Sequence, residues 1–324
     1  MVRVIEVERH GGPEVLKLVD RPLAAPGDGE VQIEQKAIGL NFIDTYFRTG
    51  LYAAPSMPFV PGNEGAGIVT ALGAGVTGLK AGDRVAYTAG LGGYAEKRNI
   101  KAQALVKLPK QVSFEIGASV VLKGLTAEYL LFRTFKVKPG HVVLIHAAAG
   151  GTGLILCQWA KALGATVIGT VGSPEKAKLA KKAGCHHVID YSKEDFARRV
   201  SEITRGAKCD VVYDGVGKAT FAGSLDSLKP FGTLVSFGNA SGPVDGVNLG
   251  ILAAKGSLYV TRPTLMTHIA EPANYHKMAK RLLGAIAKGT ITIAPPRVFK
   301  LADAAEAHRA LEGRQTTGST ILVP

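Results

Sequence analysis

Residues 141–172 read His-Val-Val-Leu-Ile-His-Ala-Ala-Ala-Gly-Gly-Thr-Gly-Leu-Ile-Leu-Cys-Gln-Trp-Ala-Lys-Ala-Leu-Gly-Ala-Thr-Val-Ile-Gly-Thr-Val-Gly. The apolar run 142–146 predicts a short buried strand. A turn of very small residues follows at 147–153. Helical spacing occupies 154–163, Gly164 closes it, and 166–170 predicts a second strand. A dinucleotide needs this order of strand, glycine turn, helix and strand. Small residues let the backbone approach a pyrophosphate, and the helix start offers N–H groups and the positive end of its dipole. The G-x-G-x-x-G spacing is present with Ala148 in the first slot, then Gly150 and Gly153. Gly150, Gly151, Thr152 and Gly153 are therefore expected to face the pyrophosphate.

The end of the second strand selects the cofactor. An NAD site usually places Asp or Glu there, on the ribose 2′-hydroxyl. Here Gly172 and Ser173 occupy that place, and Lys176 follows. A carboxylate repels a 2′-phosphate, whereas Ser and Lys bind one. The cofactor expected is NADPH, with Gly172, Ser173 and Lys176 at its 2′-phosphate.

The 324 residues suffice for two domains and a sizeable core. A hydrophobic fraction of 46% with 20% charged residues is ordinary for a soluble protein. The net charge of +13 favours anionic partners, but it is scattered and not gathered in blocks. Cys157, Cys185 and Cys209 make no disulfide framework, which fits a reduced, cytoplasmic protein. Cys185-His186-His187 are adjacent and converge poorly on one metal ion. Neither a targeting segment nor a membrane span is expected, since His146, the glycines and Gln158 interrupt the most apolar run.

Residues 1–120 read mostly as strands and tight reversals, with strands at 3–8, 31–37 and 66–72 and a helix at 114–133 that breaks at Lys123-Gly124. From Lys138 strands and helices alternate, which implies a parallel sheet with crossover helices. Beyond a long helical pattern at 271–288 the chain turns β-rich again. The expected fold class is α/β: a doubly wound parallel sheet of Rossmann type plus a β-rich domain built from both termini. The boundaries expected are 1–123, 124–265 and 266–324.

The chain resembles the zinc-independent quinone oxidoreductases, the zeta-crystallin-like group of the medium-chain dehydrogenase/reductase superfamily. The resemblance runs nearly end to end. It is carried by His10-Gly11-Gly12-Pro13-Glu14-Val15-Leu16, Asn41-Phe42-Ile43-Asp44-Thr45-Tyr46, Pro61-Gly62-Asn63-Glu64-Gly65-Ala66-Gly67, Ala81-Gly82-Asp83-Arg84-Val85, Lys123-Gly124-Leu125-Thr126-Ala127, Val235-Ser236-Phe237-Gly238-Asn239 and Gln315-Thr316-Thr317-Gly318. It implies that the β-rich part is a GroES-like catalytic domain. Zinc dehydrogenases of the superfamily carry Gly-His-Glu at Gly62-Asn63-Glu64, a Cys near Asn41, and four clustered cysteines where 87–99 has none. No metal is expected. Without a Lewis acid the substrate must take hydride unaided, as a quinone does.

Turns at the carboxyl ends of parallel strands bind ligands, so Val216 and the trio Phe237, Gly238 and Asn239 are expected at the nicotinamide ribose. The resemblance adds Tyr191 beside the adenosine, Arg314 near the phosphates, and Pro263 and Leu265 near the carboxamide. It also adds Thr126 and Tyr129. On the catalytic side it brings Asn41 and Tyr46 to the nicotinamide, with Tyr52 closing the cleft. The activity expected is NADPH:quinone reduction, in a homodimer or tetramer. The alternatives are an NADPH-dependent enal or enoyl-thioester reductase, and an AU-rich RNA-binding protein.

Overall fold

A computed structural model describes residues 1–313 and 315–324. The chain divides into two units. The first comprises residues 1–123, 271–283 and 293–324, and the second 124–270 and 284–292. The return to the first unit thus falls at Glu271, five residues beyond the 266 expected, and the stretch 284–292 stays with the second unit.

The first unit opens with β1 (Val2–Glu6) and β2 (Lys17–Arg21), an antiparallel pair. Next come β3 (Glu30–Leu40), α1 (Phe42–Thr49), β4 (Glu64–Leu72), β5 (Arg84–Thr88), β6 (Lys97–Lys101) and β7 (Leu105–Lys107). Buried and half-buried residues alternate along the first half of β3, as a strand with one face on a core requires. Val31 and Ile33 meet Val69, Val85, Tyr87 and Ile100 there. A second core joins Ile5, Val7, Ile38, Leu40 and Tyr94 to Leu301, Ala304 and Ala307 from the chain's far end.

Helix α2 (Phe114–Tyr129) crosses the boundary between the units. The break expected at Lys123-Gly124 is absent, because one interior glycine costs a helix only about 1 kcal/mol and buried Val120, Val121 and Leu125 outweigh it. The second unit follows with β8 (Val142–Ile145), α3 (Gly151–Ala162), β9 (Thr166–Val171), α4 (Pro174–Lys182), β10 (His187–Asp190), α5 (Phe196–Ile203), β11 (Cys209–Asp214), α6 (Phe221–Asp226), β12 (Leu228–Ser236), α7 (Gly250–Ala254), β13 (Tyr259–Thr261) and α8 (Leu265–Ile269). All six strands are parallel, in the order β10-β9-β8-β11-β12-β13. This is the doubly wound Rossmann arrangement, and its strand order reverses between β8 and β11. Val143, Leu144 and Ile145 are fully buried, as a central strand covered on both faces must be.

Helix α9 (Pro272–Ala287) leads back, and β14 (Arg297–Lys300), α10 (Ala304–Glu312) and β15 (Thr320–Val323) complete the first unit. Its large sheet runs β14-β15-β3-β4-β5-β7, with β6 also on β3. Among the described residues no helix is long and apolar enough to cross a membrane.

Candidate active site

In the second unit the glycine turn lies at the carboxyl end of β8, beside the reversal point. Helix α3 begins at Gly151, three residues earlier than its apolar spacing implied, and no side chain caps Gly150. Gly151, Thr152 and Gly153 therefore form the first turn, whose N–H groups have no intrahelical acceptor. A Cβ on Gly153 would stand 2.2 Å from the carbonyl oxygen of Ala147, so only glycine fits. Ala147 itself takes φ +50. The first-turn N–H groups of α3 are the donors that this turn can offer to an anion.

At the end of β9, Ser173 caps α4, its hydroxyl accepting from the Lys176 N–H at 3.3 Å. A Cβ on Gly172 would lie 2.6 Å from the Tyr191 hydroxyl. Gly172, Ser173, Lys176 and Tyr191 thus share one corner. The Glu175 carboxyl is held below its usual range by its own backbone N–H and then by the Ser173 hydroxyl. Asp190 accepts from Ser192, which lowers its carboxyl likewise. Both acids of this corner are engaged locally.

Val216 follows β11 and donates its N–H to Asp214 at 2.8 Å. The Phe237 N–H bonds the Asp214 carbonyl, and a Cβ on Gly238 would meet the Gly215 carbonyl at 2.4 Å. The turns after β11 and β12 therefore pack as one layer that holds Val216, Phe237, Gly238 and Asn239. Arg262 braces it by donating to the Ser236 carbonyl at 2.8 Å. Pro263 precedes α8, whose first residue Leu265 is buried. Thr126 is buried on α2, and the buried Tyr129 ring stacks on His268 at 4.5 Å. Arg314 lies outside the described residues.

In the first unit Asn41 caps α1. It forms a capping box with Asp44, whose carboxylate accepts the Asn41 N–H at 2.9 Å. The Asn41 amide donates to Glu64 at 2.9 Å, and Asn63 donates to Asp44 at 2.8 Å. Glu64 also accepts from the Leu122 N–H and pairs with the Lys123 ammonium at 3.3 Å. The polar chain continues inward. Arg48 donates to His308 Nδ1 at 2.9 Å and grips Glu312 at 2.7 and 3.0 Å. His308 Nε2 therefore carries the proton and donates to the Tyr94 hydroxyl, which donates to Asp44. Burial raises the Asp44 carboxyl to about 6 against the lowering effect of its donors. Burial also lowers His308 to about 3, which keeps it neutral.

The tyrosines form a separate group. Tyr46 and Tyr52 meet edge to face with ring centres 5.2 Å apart, and Phe47 meets Tyr52 in the same way. Asp44, Asn63, Glu64 and Lys123 were not named as site residues from sequence. The Asn41-to-Asp44 spacing of a capping box was the one local signal available. The other pairings join segments far apart in the chain.

Residues 27–110 match the alcohol dehydrogenase GroES-like domain and residues 151–283 the zinc-binding dehydrogenase family. The donor chemistry here does not fit zinc. The two positions compared with zinc ligands, Asn41 and Asn63, are amides whose nitrogens are turned onto carboxylates. Over its full length the chain is 56% identical to the quinone oxidoreductase of Pseudomonas aeruginosa, covering 100% of each. It is 43% identical to a 2-haloacrylate reductase from a Burkholderia species, covering 100% of this chain and 99% of that one. The structure of Escherichia coli quinone oxidoreductase in complex with NADPH superposes with a TM-score of 0.97 at 52% identity, covering 100% of both chains. The chain belongs to the quinone oxidoreductases of the medium-chain dehydrogenase/reductase superfamily.

Proposed function

We propose that this protein is an NADPH-dependent quinone reductase that works without a metal. The observation that carries the reading is the corner at the end of β9, where Ser173, Lys176 and Tyr191 stand in place of an acid for the ribose. Full-length likeness to quinone oxidoreductases, one of them solved with NADPH, supports it. Bound NADPH would supply the hydride. The α3 N-terminus would hold the pyrophosphate, Lys176 and Ser173 the 2′-phosphate, and the layer of Val216 and Phe237 to Asn239 the nicotinamide ribose. Asn41 and Tyr46 would donate hydrogen bonds to the quinone oxygen as charge grows there, with Tyr52 as a wall. Two amides in place of thiolate and imidazole support the metal-free reading.

A substrate panel tests it, with NADPH and NADH offered 1,4-benzoquinone, 9,10-phenanthrenequinone and a 2-alkenal, with and without chelator. Quinone turnover that survives the chelator is expected, and dominant alkenal turnover overturns the reading. Lys176→Glu should weaken NADPH about a hundredfold and NADH about threefold or less. The 2-haloacrylate reductase relative favours a second reading, reduction of an activated alkene, which the same panel separates.

We further propose a cytoplasmic homodimer. Three buried free cysteines suit a reducing compartment. Strand β13 ends the parallel sheet with Tyr259 and Val260 exposed, and Phe231, 69% exposed, is bonded to Gly256 just before it. An apolar open edge of this kind is a template for pairing with a second copy. Val260→Lys should give a monomer by light scattering.

A further inference from the structure

His146 follows β8 and immediately precedes the glycine turn, yet it is 2% exposed. Its Nδ1 lies 2.8 Å from the Thr170 hydroxyl and its Nε2 2.9 Å from the Ser224 hydroxyl. The Phe196 ring covers it edge-on at 4.8 Å. Ser224 spends its proton on Asp214 at 2.8 Å, so it accepts from His146 Nε2–H. Nδ1 is then bare and accepts from Thr170. Asp214 gathers the rest: the N–H groups of Val216 and Gly217 at 2.8 and 3.0 Å, and the Thr220 hydroxyl at 2.7 and 2.9 Å. Every donor points the same way, from Thr170 through His146 and Ser224 to one carboxylate. Burial lowers the imidazole below its usual range and so keeps this neutral tautomer.

The relay touches three strand ends. Thr170 is one residue before Val171 and two before Gly172, at the corner that would take the 2′-phosphate. His146 sets the start of the glycine turn. Asp214 fixes Val216 and Gly217, on the ribose side. The cofactor would span all three. We propose that His146 is a positioning residue that holds these three turns at the spacing of an intact dinucleotide. This rests on the reading that the sheet edge binds NADPH.

The variants are His146→Phe, which keeps the ring without its nitrogens, Thr170→Val, which removes one hydroxyl at constant shape, and His146→Gln, which can both donate and accept. Binding of NADPH and of 2′,5′-ADP is titrated by calorimetry well below each variant's Tm. His146→Phe and Thr170→Val should each weaken NADPH about tenfold, and the double variant no more than either alone, since both cut one relay. The half-molecule 2′,5′-ADP should lose about twofold or less, because it spans fewer turns. His146→Gln should recover most of the affinity. Unchanged NADPH binding, or equal losses for the whole and the half, overturns the proposal. If His146→Phe does not fold, Thr170→Val decides alone by the same ratio. Failure of the wild-type protein to bind NADPH would instead overturn the cofactor reading.

Discussion

The two units bury polar groups in opposite ways. At the strand ends of the Rossmann unit one carboxylate, Asp214, is satisfied by two backbone N–H groups and two hydroxyls, with a neutral imidazole behind. In the GroES-like unit Asp44, Glu64, Arg48, Lys123 and Glu312 form charged pairs and amide contacts between distant segments. In the first arrangement the donors to Asp214 lie within 10 residues of it along the chain, and two of them are backbone N–H groups. The second depends on segments such as 41, 64 and 123 arriving together. Removing one member of a charged pair strands the other, whereas cutting one hydroxyl from the relay leaves the Asp214 carboxylate with its remaining donors.

That contrast can be broken most directly at Glu64. Glu64→Ala leaves Lys123 buried without its carboxylate and should cost about 3–5 kcal/mol in denaturant unfolding. A loss no larger than that of Ser224→Ala, about 1–2 kcal/mol, would erase the distinction.

The pH dependence sharpens it. Asp44 is raised from 3.8 to about 6 by burial, so folding takes up a proton between these values. Its favourable contribution is complete below about 4 and is lost as pH rises through about 6. Asp44→Asn removes this titration. The stability of the wild type relative to the variant should therefore fall by about 3 kcal/mol from pH 4 to 7. A flat difference would mean that the donors around Asp44 cancel its burial.

The smallest effect separates two glycines of the same turn. Gly153→Ala drives a Cβ to 2.2 Å from a backbone oxygen, whereas Gly150→Ala meets the same oxygen at 3.2 Å. The first should weaken NADPH about tenfold and the second about twofold, by titration. Equal effects would show that the turn yields as a whole.

The sequence exposed the Rossmann unit well, because a glycine turn between two apolar runs is a contiguous signal. It misplaced the start of α3, since Gly151, Thr152 and Gly153 carry no apolar side chains to register helical spacing. It implied a helix break at Gly124 where burial holds the helix together. Asn41 and Tyr46 were named through family resemblance, but nothing near them in the chain announces Glu64 or Lys123.

The residues alone determined the order of elements and the glycine turn, because these depend on neighbours within a few positions; the missing thiolate and imidazole ligands were legible only beside the family pattern that the chain resembles. Tertiary structure decided which carboxylate each amide meets, the direction of protons through His146 and His308, and the raised Asp44 carboxyl. Burial and long-range pairing are properties of the folded packing, and no window along the chain contains both partners.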